Sequence, residues 1–325
     1  MNKIIRVGTR ESQLAVWQAE QVKAHLQEAG HSAELVLIKS EGDIDLTTPL
    51  YEMGVQGIFT RSLDSALLNN RIDLAVHSMK DVPTQLPKGI CQAAVLKRGN
   101  YKDLLVIKPS SSQTDSLQSK EEKTGSVLPD PFGIPDSPFT IATSSIRRKA
   151  QWLHRYPAHR VENLRGNVNT RLRKLNENEW QGAIFAAAGL ERIGLRPENS
   201  IELEWMLPAP AQGAIVVVCR ETDTESLNAC SRLNDTGTAI CTRIERDFLR
   251  RLLGGCSTPI SALAEIRNNE LVFRGNILSL DGIQIAEVAK TAEIGLAGNL
   301  GSQAAEELLI NGGREIAEGI RHAGK

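Results

Sequence analysis

The strongest constraint on this chain is an alternation: short apolar runs, each followed by a polar turn and then an apolar stripe at helical spacing. Residues 4–8 form the first run, and Ser12 stands where a helix N-cap belongs. Leu14, Trp17, Val22 and Leu26 then recur at helical spacing until Gly30. Residues 35–38 predict a second strand, Phe59, Leu63, Ala66 and Leu67 a second helix, and residues 72–76 a third strand. Strand–helix–strand order predicts a mainly parallel sheet covered on both faces. The pattern resumes with strands over 139–142, 161–164, 183–186 and 213–219 and helices over 145–153 and 168–175. No convincing sequence repeat relates the two runs.

Between them, residues 109–138 are rich in Ser, Pro, Lys and Glu and read as a mobile surface insertion. The last third changes character. A helix over 240–253 ends at Gly254-Gly255, suited to a left-handed C-cap. Residues 260–266, 270–280 and 283–291 then alternate like antiparallel strands, with Asn268-Asn269 and Asp281-Gly282 as turns. One helical region, about 303–320, closes the chain.

A length of 325 residues suggests two or three domains, and 41% hydrophobic with 24% charged residues suits a globular protein with a substantial core. The formal net charge is -1, so attraction for acidic ligands must come from local clusters of Arg and Lys. Residues 1–7 hold no apolar run long enough for a signal peptide, and no membrane-spanning stretch follows. The five cysteines are odd in number, widely spaced and without a CxxC pair. That argues against a disulfide framework or a metal site and for a reducing cytoplasm.

Three strand-to-helix turns carry arginine: Gly8-Thr9-Arg10-Glu11-Ser12, Thr143-Ser144-Ser145-Ile146-Arg147-Arg148, and Leu164-Arg165-Gly166-Asn167 leading to Arg171. Exposed N–H groups, hydroxyls and guanidinium forks at a helix start make a carboxylate or phosphate cradle. The blander alternative for each is a capped helix with solvated arginines. Gly166 is a position that permits close ligand approach. All three turns fall at carboxyl ends of strands, where open α/β sheets bind ligands.

The run His77-Ser78-Met79-Lys80-Asp81-Val82-Pro83 takes a strand into adjacent Lys and Asp. A carboxylate there can stabilise a developing cation or pass protons, or the pair is an ordinary surface ion pair. His77 by itself reads as a hydrogen-bonded structural residue. Cys256 follows two glycines and a helix rich in Arg243, Arg246, Arg250 and Arg251; nearby cations would favour its thiolate, although most single cysteines are inert.

Together with Gly42-Asp43, Ala188-Gly189-Leu190-Glu191-Arg192, Gln212-Gly213-Ala214 and Gly254-Gly255-Cys256, these segments resemble the porphobilinogen deaminase (hydroxymethylbilane synthase) family, in order and over nearly the whole chain. The resemblance implies an α/β fold of two type II periplasmic-binding-protein-like domains and a smaller C-terminal α+β domain with a three-stranded antiparallel sheet. The implied domains are residues 1–98 with 212–231, 99–211, and 232–325. It implies a transferase of tetrapyrrole (haem) biosynthesis that joins four porphobilinogen molecules head to tail, releasing ammonia. A dipyrromethane cofactor would be attached through a thioether to Cys256.

By the same resemblance, Asp81 would stabilise the azafulvenium cation left when ammonia departs and handle the proton lost on rearomatisation. Lys80, Asp81, Thr143, Ser144, Ser145, Arg147, Arg148 and Arg171 would hold the cofactor. Arg10, Ser12, Ser78, Arg165, Gly166 and Arg192 would serve the substrate. A cytoplasmic monomer without nucleic-acid or membrane partners is implied. The family commonly has Gly-Gly-Lys-Gly before Phe59, whereas this chain has Gly54-Val55-Gln56-Gly57, so the loop lysine is missing.

Two rival classes remain at this point. A solute receptor would share the two-domain cleft but has no use for Cys256. A nucleic-acid binder would need aromatic stacking partners for its arginines, and only 4% of residues are aromatic.

Overall fold

The computed structural model describes residues 3–39, 60–108, 134, 139–252 and 258–323. The predicted alternation resolves into three sheets. The first contains β1 (Ile5–Thr9), β2 (Ala33–Leu37), β3 (Leu74–Ser78), β4 (Ile90–Val95) and β10 (Ile215–Arg220), in the order β2-β1-β3-β10-β4. The second contains β5 (Asp103–Ile107), β6 (Thr140–Ala142), β7 (Arg160–Glu162), β8 (Gly182–Ala186) and β9 (Ser200–Glu202), in the order β7-β6-β8-β5-β9.

In both, one strand runs against its two neighbours: β10 in the first and β5 in the second. Each sheet is therefore mixed: the strands expected to run parallel do so, and the odd strand runs against its neighbours. The odd strand in each comes from a segment that crosses between the sheets. The shared order is a structural repeat that the sequence does not display.

The helices form where the apolar spacing places them. Helix α1 (Gln13–Glu28) is capped by the Ser12 side chain, which accepts from the Ala15 N–H, and buries Gln18, Ala19, Val22 and Leu26. Helices α2 (Arg61–Leu68), α3 (Ile146–Arg155), α4 (Val168–Glu177), α5 (Ala187–Glu191) and α6 (Thr224–Cys230) complete the two α/β units. Ile134 lies within the stretch expected to be a mobile surface insertion, yet it is buried against Leu105 and Trp152. The rest of 109–138 lies outside the described residues.

The third sheet is antiparallel, β11 (Ile260–Arg267), β12 (Glu270–Leu278) and β13 (Ile285–Glu293) in that order. Asn268 and Asn269 both take positive φ, 50° and 66°, as a tight hairpin turn requires. Helix α7 (Thr236–Arg251) lays Cys241, Ile244 and Phe248 on this sheet, and the Phe248 ring meets Phe273 edge-on at 5.1 Å. Burying Phe248 contributes about 1.5–3 kcal/mol. The expected single terminal helix is two, α8 (Leu300–Leu308) and α9 (Arg314–Ala323). Asn311 and Gly312 leave helical dihedrals between them, Gly312 with φ of 94°.

The three units meet where the chain crosses between sheets. Gly99 N–H donates to Gly213 O at 3.0 Å, and Gly213 has φ of 86° with space for no side chain: a Cβ there would stand 2.8 Å from Gly99 O. Glu245 of α7 is fully buried at this seam. It accepts both Arg98 nitrogens, at 2.6 and 3.1 Å, together with the N–H groups of Ala211 at 2.6 Å and Ala264 at 2.8 Å. Cys91 and Cys219 face each other across β4 and β10 as free thiols, Sγ to Sγ 3.8 Å, and Cys230 and Cys241 are buried and free.

Candidate active site

The carboxyl ends of β1, β3, β6, β7 and β8 open onto one cleft of about 830 Å³. Except for Thr143 and Cys256, every residue expected to hold cofactor or substrate lines it. Thr143 is buried, and its hydroxyl accepts from the Ser145 N–H at 3.2 Å. Cys256 lies outside the described residues, as do Gly42-Asp43 and the Gly54–Gly57 loop. Leu249 before Cys256 and Thr258 and Ile260 after it border the cleft.

The arginines of the second turn behave differently from solvated side chains. Ser145 caps α3 by accepting from Arg148 N–H, which leaves Arg147 and Arg148 on its first turn, both nine-tenths buried. Their common partner is Asp103, at the start of β5. Arg147 Nη2 donates to Asp103 Oδ2 at 2.7 Å, and Arg148 Nη2 to Oδ1 at 2.8 Å. Arg147 also holds Leu207 O and Arg148 holds Ile184 O. Neither guanidinium is a free cradle; both are fixed in direction while still bordering the cleft. Ser144 likewise has a local task, accepting from Leu164 N–H at 2.9 Å.

Beyond β3, a 3-10 turn over Met79–Asp81 displays Lys80 and Asp81 into the cleft. Lys80 Nζ donates to Gln212 Oε1 at 3.2 Å, and Gln212 Nε2 donates to Asp103 Oδ1 at 2.9 Å. A polar chain thus runs from Lys80 through Gln212 to the Asp103–arginine cluster. Burial and the Arg148 charge lower the Lys80 pKa to about 8 against the opposing pull of Asp81 and Asp103. Burial and Arg148 also lower Arg171 to about 10, again opposed by Asp81.

The remaining positions divide between binding surface and scaffold. Arg10, Arg165 and Ser78 border the cleft, Ser78 bonded to Gln18 of α1 at 2.9 Å. Arg192 Nη2 donates to Gly213 O at 2.6 Å and lies over the Trp17 ring, which ties it to the crossing segment. Gly166 has φ of 113°, and a Cβ there would meet Thr170 Cγ2 at 2.6 Å. Its own helix leaves no room for a side chain, and it borders the cleft; its carbonyl accepts from Arg171 Nε at 2.7 Å. His77 is buried with its pKa lowered to about 4 by burial and Arg10, and Nε2 has no hydrogen-bond partner, contrary to the bonded structural role expected.

Residues 5–228 match the family described as "Porphobilinogen deaminase, dipyromethane cofactor binding domain", and residues 239–310 match "Porphobilinogen deaminase, C-terminal domain". The chain is 39% identical to the porphobilinogen deaminase of Desulforamulus reducens over 325 residues, 99% of each chain. It is also 39% identical to that of Syntrophotalea carbinolica, over 96% of this chain and 94% of the relative. The chain belongs to the porphobilinogen deaminase family. Membership makes it a transferase that forms hydroxymethylbilane in tetrapyrrole biosynthesis and holds a dipyrromethane cofactor, as the resemblance implied.

Solved solute-binding proteins show a slighter likeness. An ancestral cationic amino acid solute-binding protein gives a TM-score of 0.41 at 15% identity over 71% of this chain and 87% of its own. The methionine-binding protein MetQ gives 0.41 at 14% over 71% and 89%.

The cleft suits the deaminase cofactor. Among the described residues, Arg10, Lys39, Lys80, Arg147, Arg148, Arg165, Arg171 and Arg192 border it against only Glu11 and Asp81. Burial first, and the Arg148 charge second, lower Lys80 and Arg171, and a ligand bearing several carboxylates would favour their charged forms. The residues that sequence reasoning missed are the organisers. Asp103 had one signal, an acidic residue opening the apolar run Asp103-Leu104-Leu105-Val106-Ile107; Gln212 lay in a matching segment without an assigned task. Of the arginines expected near Cys256, Arg250 pairs with Asp247, Arg251 with Glu306, and Arg246 turns toward Met79–Pro83.

Proposed function

We propose that Asp81 carries the chemistry, that Cys256 anchors the dipyrromethane through a thioether, and that the cationic residues divide between cofactor and substrate carboxylates. The observation that carries this reading is the Asp81 carboxylate, displayed beside Lys80 and Arg171 in a cleft whose described charged residues are mostly cationic. The dipyrromethane, when bound, supplies the pyrrole carbon to which the first substrate unit is joined.

The protein's own part is electrostatic and positional. Porphobilinogen becomes cationic as ammonia leaves, and a fixed carboxylate stabilises charge that develops in that step. Asp81 holds that place and takes the proton released when the new ring regains aromaticity. Lys80, Ser145, Arg147, Arg148 and Arg171, with Thr143 and Ser144 shaping their turn, hold the cofactor's acetate and propionate groups. Arg10, Ser12, Ser78, Arg165, Gly166 and Arg192 form the substrate side. Arg147 and Arg148 aim best as a pair because Asp103 fixes their planes.

The domains are 1–98 with 212–231, 99–211 and 232–325, supported by the crossings at Gly99 and Gly213. The enzyme works as a cytoplasmic monomer on a small molecule, without nucleic acid. None of the described helices is long and apolar enough to cross a membrane.

Recognition through carboxylates has a direct test. Porphobilinogen with both carboxylates esterified should show kcat/KM lower by about 10²-fold or more, since each lost charge-assisted contact is worth about 1.5–3 kcal/mol. Comparable kcat/KM for ester and acid would contradict the assignment of the cationic lining.

A further inference from the structure

Helix α7 places two consecutive side chains at the seam between the three sheets. Glu245 grips the crossing segments through Arg98 and Ala211. Arg246 reaches elsewhere: Nη1 donates to Val82 O at 2.8 Å and to Met79 O at 3.3 Å, and Nη2 to Pro83 O at 2.5 Å. These are the carbonyls of the turn that displays Lys80 and Asp81. Within the turn, Val82 N–H closes on Met79 O at 3.2 Å, and Pro83 has no N–H to offer. Arg246 itself does not line the cleft. A planar guanidinium with a rigid fork of donors suits several carbonyls converging on one point, which an ammonium on a flexible stem matches less well.

We propose that Arg246 is a positioning residue for the reaction, fixing the Met79–Pro83 turn and hence the Asp81 carboxylate against the C-terminal unit that carries Cys256. The proposal rests on the assignment of Asp81 and Cys256 above. Because Glu245 precedes it, one turn of α7 sets the crossing segments and the catalytic turn together. Loosening the clamp shifts Asp81 relative to the reacting ring without removing any group that binds carboxylates. A misplacement of about 1 Å costs on the order of 10²-fold in rate.

The test compares Arg246→Gln and Arg246→Lys holoenzymes with wild type and with Asp81→Asn. Intact mass gives the cofactor-loaded fraction, and steady-state kinetics are expressed per loaded molecule. Hydrogen exchange follows the amides of residues 79–82. In Arg246→Gln, kcat per loaded molecule should fall about 10- to 100-fold, with KM within about twofold of wild type and faster exchange at Val82. Arg246→Lys should recover part of the rate. Unchanged kcat per loaded molecule, or a loss confined to the loaded fraction or to KM, overturns the proposal. So does failure of both variants to load, which would make Arg246 purely structural. An active Asp81→Asn would instead remove the reading on which the proposal stands.

Discussion

Replacing Asp81 by asparagine should leave a folded, cofactor-loaded protein whose kcat is lower by at least about 10²–10³-fold, the usual cost of removing one preorganised electrostatic group. The amide has the shape of the carboxylate, so the 3-10 turn over Met79–Asp81 and the Arg246 contacts to its carbonyls stay in place. What disappears is the negative charge that stands beside Lys80 and Arg171. The substrate cation then develops among like charges, and no other acidic side chain on that turn can substitute. Retained mass of the bound pyrroles and an unchanged melting temperature would show that the loss is chemical. Turnover within about tenfold of wild type would remove Asp81 from the chemistry, because such a change is worth only about 1.4 kcal/mol.

Asp103→Asn should have the largest effect on stability. Asp103 is fully buried and receives Arg147 and Arg148, so neutralising it leaves two buried guanidiniums without their counter-charge. Breaking a buried ion pair from one side costs about 3–5 kcal/mol, measurable by urea unfolding. Burial alone would raise the Asp103 pKa, but Arg147, Arg148 and Lys80 outweigh it and hold the carboxyl far below the ordinary carboxylate range.

A carboxyl depressed in this way contributes stability that is fully present above its unfolded pKa of about 4 and is lost as pH falls toward the folded value. The gap between wild type and variant should therefore be widest near neutral pH and narrow in acid. Since the same contacts orient Arg147 and Arg148 toward the cleft, the variant should also load less cofactor. A destabilisation under about 1 kcal/mol, within the range of unremarkable substitutions, would show that Asp103 is not the organiser described above.

Much of this was legible in the chain, for reasons that are local. Ser12 and Ser145 announce helix starts because a side-chain oxygen can satisfy an exposed N–H three residues on, and both do so. Asn268-Asn269 announces a hairpin because asparagine tolerates positive φ. The three C-terminal strands pair with their sequence neighbours, so periodicity alone orders them.

What escaped depends on distant partners. β5 acquires its place only by pairing with β8, and β10 only by inserting between β3 and β4. Nothing local in either strand encodes those neighbours, which is why two sheets of one order show no repeat in sequence. The same limit applies to the site. Residues 143–148 advertise guanidiniums at a helix start, but not that Asp103, on another strand, fixes both. Gly166 reads as a ligand-approach glycine, without showing that Thr170 beneath it also forbids a side chain there. The break between α8 and α9 is a different kind of miss, for Asn311-Gly312-Gly313 is a plain break signal overshadowed by the apolar stripe on either side.

If Cys256 anchors a primer that faces the Asp81 carboxylate, the mass of the intact protein will show it. Purified wild type should be heavier than its 325-residue sequence by one unit of two linked pyrroles, and Cys256→Ser should have the unmodified mass and no turnover. An active wild type of unmodified mass, or an adduct that persists in Cys256→Ser, would contradict the account.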